Sequence, residues 1–165
     1  MHRRTVLTAL MGVAGGCVET LTPAEAQPRA AERLAVERIN DLRAAADVDT
    51  LERDDTLVAA ARAHARDMSV RGFYDHVNPD GERARDRVPC GAAETIHRGT
   101  LGPMETADDT TWYTRDPDDM AGYLVRDWHL SDPHNAILTE RGFSRLGVGI
   151  YVGEDMEFFG VANFC

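Results

Sequence analysis

The sequence contains no lysine: its 18 Lys and Arg residues are all arginines, and they stand against 28 acidic residues. The formal net charge is −10 at pH 7. Binding nucleic acid or an anionic membrane face needs clusters of basic side chains that neutralise phosphates, so this composition argues against both as partners. An acidic surface also suits concentrated salt, which screens the repulsion between acids, and we hypothesise a source in a salt-loving organism.

Long hydrophobic runs are also absent. The apolar run at residues 6–14 is about nine residues long, whereas a helix needs roughly 20 residues to span a bilayer. Arg3 and Arg4 precede this run and small residues follow it, which is typical of a twin-arginine export signal over residues 1–16. The protein is therefore predicted to be extracellular.

The end of the signal allows two interpretations. The sequence "AGGC" resembles a lipobox, which predicts acylation of Cys17 and a lipid-anchored protein on the cell surface. The alternative is cleavage near "PAEAQ", residues 23–27, which would leave a secreted soluble protein. In the first case residues 17–29 form a tether, and residues 30–165 form one domain of ordinary size.

Cysteine is scarce, with three residues in the chain. If Cys17 belongs to the signal, Cys90 and Cys165 remain and are predicted to form a disulfide, since paired cysteines are usual in exported proteins. This bridge would close a loop of about 75 residues and contribute about 4 kcal/mol.

Periodic apolar residues predict three helices. The first covers residues 30–46, and the second runs from Asp54 to its terminator Gly72, with His64 on its apolar face as a buried core residue. The third begins at Asp116, buries Met120, Leu124 and Trp128, and ends before Pro133.

Two further regions complete the prediction. Residues 73–115 lack periodicity and are predicted to be a long irregular region. Alternating apolar residues from Leu146 to Phe164 predict a β-hairpin, in which Gly147 and Gly149 leave space on one face. Helices followed by a terminal sheet indicate an α+β fold.

Common catalytic motifs are missing, since the chain has neither an HExxH helix nor a GxSxG turn. The candidate site residues are His76 in "GFYDHVNPDG", Glu94 in "GAAETI" and His134 after the third helix, with Asp127 or His129 as further candidates. Two histidines and a carboxylate suffice for a zinc site with open positions, although spacing alone does not bring them together.

Four motifs in order resemble the CAP superfamily of cysteine-rich secretory, antigen 5 and pathogenesis-related proteins, in its prokaryotic branch. They are "AHARDMSVRGFYDHVNPDG", "GAAETI", "DWHLSDPHNAIL" and "GFSRLGVGIYV". The resemblance covers about residues 30 to 164. Together with the acidic composition it suggests a haloarchaeal source.

The resemblance implies a three-layer α-β-α sandwich, with the C-terminal antiparallel hairpin in its sheet and a surface cleft. His76 and His134 match the family's two histidines, which sometimes hold Zn²⁺, and Glu94 matches the glutamate of its "GENI" motif. The family's second glutamate is replaced here by Ser131. His97 and His129 match no family role and are predicted to be solvated, as are the acid pairs Asp108–Asp109 and Asp118–Asp119, which are not predicted to bind calcium.

Three functions remain open. The first is a binding module, a monomer whose cleft holds a small, lipid-like ligand or a divalent ion without catalysis. The second is a metal-dependent hydrolase, a peptidase or esterase in which His76 and His134 hold the metal and Glu94 acts as base. The third is a structural envelope protein. The lack of a clear nucleophile or oxyanion stabiliser favours a protein that is not an enzyme.

Overall fold

The computed structural model describes residues 23–88, 90, 93–105 and 111–165. The predicted signal, Cys17 and the pair Asp108–Asp109 lie outside these residues. The helices are α1 Pro23–Ala45, α2 Asp55–Arg71, α3 Ala84–Arg87, α4 Pro117–Leu130 and α5 Asp132–Leu138. The strands are β1 Glu52–Arg53, β2 Ala93–Thr100, β3 Gly102–Glu105, β4 Thr111–Thr114, β5 Arg145–Val152 and β6 Glu157–Phe164. Within the described ranges, no helix has the length and apolar character that a membrane span requires.

The main sheet has the strand order β1-β5-β6-β2. β5 and β6 form the predicted hairpin, with Val148 opposite Ala162, and β2 pairs antiparallel with β6. β1 adds a short parallel pairing to β5. β2 is therefore an edge strand, and β3 and β4 form a separate two-stranded sheet.

Helices cover both faces of the main sheet, as the predicted α-β-α sandwich requires. One face packs against α1, α4 and α5 around the fully buried Trp128 and Phe158. The other face packs against α2, where Ala65 and Met68 meet Val161 of β6. Successive residues of β6 point to opposite faces, so this single strand contributes to both cores.

The predicted bounds of α2 are confirmed. The Asp54 carboxylate accepts hydrogen bonds from the amides of Thr56 and Leu57, which have no partner within the helix. Gly72 ends the helix with φ of 68°, a left-handed conformation that glycine adopts without a side-chain penalty.

The structure differs from the prediction in three places. α1 begins at Pro23, inside the predicted tether, because the segment between Pro23 and Pro28 is made of alanine, glutamate and glutamine, which favour helix. The region predicted as irregular contains α3, β2, β3 and β4. Ser131 ends α4 and immediately precedes α5, with Pro133 in its first turn, so His134 lies on a helix.

The predicted disulfide joins Cys90 to Cys165, whose Cα atoms are 5.9 Å apart. Cys165 also exchanges backbone hydrogen bonds with Arg145 at the start of β5, of 2.8 and 2.9 Å. The bridge therefore links the segment that leads into β2 to the end of the central hairpin.

Gly147 and Gly149 allow α2 to lie directly on β5. A Cβ atom at Gly149 would lie 2.2 Å from the backbone nitrogen of Arg62, and one at Gly147 would lie 2.3 Å from the backbone of Leu57. Only hydrogen at these two positions lets the helix backbone approach so closely.

We predict that Gly149→Ala lowers the free energy of unfolding by about 3 kcal/mol, because the helix backbone would have to move away from the sheet. Gly142→Ala is the matched control: its new methyl group would meet nothing closer than 3.8 Å, and its cost should stay below about 0.5 kcal/mol. Urea unfolding of both variants measures the difference. Equal costs would show that α2 does not constrain β5 in this way.

Candidate functional site

The edge strand β2 presents polar side chains on both faces of the sheet. Glu94 and Ile96 are two residues apart and share a face, and Ile96 packs in the core formed with α2. His97 lies on the opposite face, where its ring contacts Tyr123 of α4 and Phe158 of β6. A site built around this edge can therefore draw residues from both helical layers.

Glu94 is a buried carboxylate whose two oxygens are both occupied. The guanidinium of Arg87 donates to Oε2 at 2.6 Å, and Nδ1 of His76 lies 3.0 Å from Oε1. His64 brings its Nε2 atom within 3.9 Å of the same Oε1 atom. The Glu94 side chain is only 3% exposed, so these groups replace the water that an exposed carboxylate would bind.

The contact with Glu94 fixes the orientation of the His76 ring. A carboxylate paired with arginine is an acceptor, so we assign the proton to Nδ1 of His76, which donates to Glu94. In this tautomer of the neutral ring, the other nitrogen, Nε2, carries a lone pair. Because the His76 side chain is 51% exposed, this nitrogen is available to a ligand.

Arg87 holds the loop that carries His76. Besides Glu94, it donates to the backbone carbonyl of His76 at 3.2 Å and to that of Glu82 at 2.8 Å. Sequence reasoning assigned no role to this arginine. The only sequence signal for its role is that an arginine follows the "PDG" motif. Three arginines follow that motif closely, so the signal does not single out Arg87.

His64 is the predicted buried core residue, with 1% exposure. Its Nε2 atom donates to the backbone carbonyl of Asp75 at 3.0 Å. Burial lowers the pKa of His64 below its usual range, and this effect outweighs the attraction of Glu94, which raises it. The neutral ring therefore supports the loop from below, next to His76.

The opposite side of the edge carries a second pair of an acid and an imidazole. Nδ1 of His97 lies 2.8 Å from Oδ2 of Asp127, and this hydrogen bond is the main reason why the pKa of Asp127 is lowered. The prediction that His97 is solvated was wrong, since it is 6% exposed. A polar residue in a strand without regular apolar alternation gave no sign that it faces α4.

His134 lies on α5, on the same side as Asp127. Burial lowers the pKa of His134, the charge of Asp127 raises it, and the charges of His76 and His97 lower it further. Its Nδ1 atom is buried without a hydrogen-bond partner among the described residues. His134 is therefore in electrostatic range of His76, although no direct contact joins it to the His76–Glu94 pair.

The carbonyl of Ile96 connects the two sides. It accepts hydrogen bonds from the Tyr74 hydroxyl and from Nε1 of Trp128, both at 3.2 Å. Tyr74 belongs to the loop after α2, and Trp128 belongs to α4. The strand edge that carries Glu94 is thus held from both layers by one acceptor atom.

The other candidates are less closely involved. His129 is exposed, as predicted, with Nδ1 2.9 Å from the side-chain oxygen of Asn135. Asp118 pairs with Arg38 at 2.7 Å, and Asp119 bonds to Arg115, consistent with their predicted surface role. Within the described part of the chain, no three His, Cys, Asp or Glu side chains are placed together to hold a metal ion.

The chain matches the Cysteine-rich secretory protein family, CAP, over residues 36–164. It belongs to this family. The match covers both walls of the site and the whole of the hairpin, which agrees with the four motifs identified in the sequence.

The chain is similar to several bacterial proteins, two of which are named as surface or extracellular proteins. YkwD of Bacillus subtilis is 26% identical over 136 residues, which cover 79% of this chain and 46% of YkwD. The chain thus spans about half the length of this relative. An extracellular SCP-domain protein from Bacillus anthracis has a TM-score of 0.65 at 22% identity, with 88% of this chain and 44% of that chain covered.

Two further structures share the fold. An outer surface protein from Borrelia burgdorferi has a TM-score of 0.64 at 18% identity, with 81% of this chain and 90% of that chain covered. The crystal structure of NaASP2 with Zn²⁺ has a TM-score of 0.58 at 15% identity, with 86% and 82% covered. Prokaryotic relatives are therefore present, whereas the haloarchaeal source stays a prediction.

We predict that Arg87→Met lowers the free energy of unfolding by about 3 kcal/mol, because it leaves the buried carboxylate of Glu94 without its cation. Arg85→Met is the control, since Arg85 is an exposed arginine of the same short helix and should cost less than about 0.5 kcal/mol. Chemical denaturation compares them. A cost below about 1 kcal/mol for Arg87→Met would contradict the role of this ion pair.

We also predict that acid destabilises the protein partly through His64. Its lowered folded pKa means that the unfolded chain binds the proton more readily, so stability is full above the ordinary value of 6.5 and falls as the pH drops below it. The slope contributed by one such histidine is about 1.4 kcal/mol per pH unit.

The test compares urea unfolding of the wild type and His64→Gln at about pH 7.5 and about pH 5, since glutamine keeps an N–H donor for the Asp75 carbonyl. The variant should lose less stability between the two pH values. His134 contributes in the same direction and remains in both proteins. An identical pH dependence would exclude His64 as a source.

Proposed function

We propose that this protein is a cell-surface binding module, anchored through an acylated Cys17, whose cleft at the edge of β2 holds a small ligand or a divalent ion between His76 and His134. No catalytic step is part of this proposal. Export agrees with the family, which is described as secretory, and with the surface or extracellular names of the relatives above.

The observation that carries this proposal is the pairing of His76 with Glu94. Histidines that bind metals or polar ligands usually donate their second ring N–H to a carboxylate, which fixes the tautomer and makes the free nitrogen a better ligand. The bond of 3.0 Å between His76 Nδ1 and Glu94 Oε1 has this form. Arg87 keeps the carboxylate in place from the other side.

The same contacts disfavour the hydrolase alternative. A general base must accept a proton from water or substrate, and it must reach that group in a productive complex. Glu94 is 3% exposed and already accepts from Arg87 and His76. Proton transfer to Glu94 would break a buried ion pair, which makes it a supporting residue for His76.

The residues fit a divalent ion only in part. The NaASP2 structure is named as containing Zn²⁺, and its fold is the one described above. In this chain two imidazoles are the candidate ligands, and Glu94 is engaged elsewhere. Water would have to complete the shell, so we expect weak binding compared with sites that have three protein ligands.

A structural role in the envelope is the second candidate. One observation favours it: Arg87 and His76 together occupy both oxygens of the buried Glu94 carboxylate, and Arg87 ties the loop to the sheet. In that case His134→Ala would lower the melting temperature, and the melting temperature of the wild type would not depend on added ions.

A calorimetric titration with zinc tests whether the protein binds a divalent ion. We expect the wild type to bind with a Kd below roughly 1 mM, which corresponds to about −4 kcal/mol. His76→Ala and His134→Ala should each weaken binding at least about tenfold, because each removes one of two ligands. His129→Ala is the control, since His129 is exposed and bonds to Asn135.

Two results would contradict the proposal. Loss of affinity in His129→Ala equal to that in His76→Ala would indicate unspecific binding to surface histidines. Turnover of a peptide or ester panel that disappears in Glu94→Gln but not in Arg85→Met would favour the hydrolase instead. No binding tighter than roughly millimolar would exclude the ion and leave the small ligand or the structural role.

A further inference from the structure

A recess lies away from the proposed cleft. It is bounded by α1, α2 and the strand β5. Its volume is about 630 Å³. Three arginines line it, Arg29 from α1 and both Arg62 and Arg66 from α2. Ile150, Tyr151 and Val152 of β5 line its remaining wall. We call this recess the arginine groove.

The charge of the groove is opposite to that of the protein. The chain carries −10, yet the residues that line the groove include three arginines and a single acid, Glu32. Glu32 is 1% exposed and is fully engaged: its carboxylate accepts from Nε of Arg62 at 2.7 Å and from the amide of Ile150 at 3.0 Å. The positive charge of Arg29 and Arg66 is therefore left over for a ligand.

Arg66 is exposed and also borders a neighbouring recess lined by Asp67 and Asp80, but both of these acids pair with Arg71. Arg66 is four residues after Arg62, so the two arginines share one face of α2. Guanidinium groups donate two parallel hydrogen bonds to phosphate or carboxylate oxygens, which makes such a cluster suited to an anion.

The edge of β5 adds backbone groups to this wall. The amide of Ile150 points away from β6 to Glu32, whereas the amide of Gly153 bonds to Glu157 of the hairpin. Outward and inward groups alternate along an antiparallel strand, so the amide and carbonyl of Val152 point outward like those of Ile150. The groove thus offers an N–H donor beside its arginines.

The groove lies near the end of the domain that follows the predicted lipid anchor. α1 begins at Pro23, and the groove starts at Pro28, about 8 Å further along the helix axis. Cys17 lies six residues before Pro23, a distance that an extended chain spans in at most about 20 Å. An acyl group on Cys17 would therefore hold this end of the domain close to the headgroups of the membrane.

We propose that the arginine groove binds the phosphate of an acidic phospholipid headgroup in the membrane to which the chain is tethered. The acidic composition argued against an anionic membrane surface as partner, and that argument holds for the average charge but not for this recess. Contact with headgroups would set the orientation of the anchored domain. The proposal rests on the anchorage through Cys17 proposed above, and it is independent of what the cleft binds.

Vesicle flotation tests the proposal. The full chain with Cys17→Ser, which cannot be acylated, is mixed with vesicles of phosphatidylcholine alone or with added phosphatidylglycerol. We expect binding to the anionic vesicles only. The double variant Arg29→Gln and Arg66→Gln should bind at least about tenfold more weakly, since each basic side chain near an anionic surface contributes about fivefold.

Arg141→Gln is the matched control, because this exposed arginine lies outside the groove. It should bind like the parent. Thermal melting of each variant verifies folding, and the single variant Arg66→Gln, which loses no described contact, replaces the double variant if that one fails to fold.

Three results would overturn the proposal. Equal binding to both kinds of vesicle would indicate that the apolar leader, shared by all variants, inserts into the bilayer. Equal weakening in Arg141→Gln would indicate an effect of overall charge. Full binding of the double variant to the anionic vesicles would show that the groove does not contact the headgroups.

Discussion

The buried ion pair between Arg87 and Glu94 holds the loop after α2 against the edge strand β2. A carboxylate that is 3% exposed needs its cation, and Arg87 reaches it from the short helix α3. The same guanidinium binds the carbonyl of His76, so the loop after α2 cannot leave the sheet without exposing an unpaired charge. The half-exposed imidazole of His76 owes its position to this pair. Packing of α2 on Gly147 and Gly149 supplies the rigid base beneath it.

The elements with regular apolar periods were predictable because burial alone determines them. α2 and α4 place apolar residues on one helical face, and β5 places Leu146, Val148 and Ile150 on one face of the sheet, as the pattern predicted. β6 is buried on both faces and is apolar along most of its length. β2 was missed for the opposite reason. Its buried side chains include Glu94, Thr95 and His97, which are polar, so the strand has no apolar alternation to detect.

The site illustrates the same limit. Spacing could not place His76 beside Glu94, and the resemblance of four motifs to the CAP family pointed to the pair that the structure brings together. The roles of Arg87 and His97 were not predicted, because their partners Glu94 and Asp127 lie 7 and 30 residues away in the sequence. Polar contacts of this kind carry no periodic signal, and they become visible only when the strand edge is seen between its two helical layers.

The hydrogen bonds of Ile96 have a consequence for how the protein behaves at high concentration. An edge strand with free backbone groups invites pairing with the edge of another molecule, which leads to aggregation. Here Tyr74 and Trp128 both occupy the Ile96 carbonyl, and the loop with His76 lies over the same edge. The side chains of Tyr74 and Trp128 therefore take up an acceptor that a neighbouring chain would need for pairing with this part of β2.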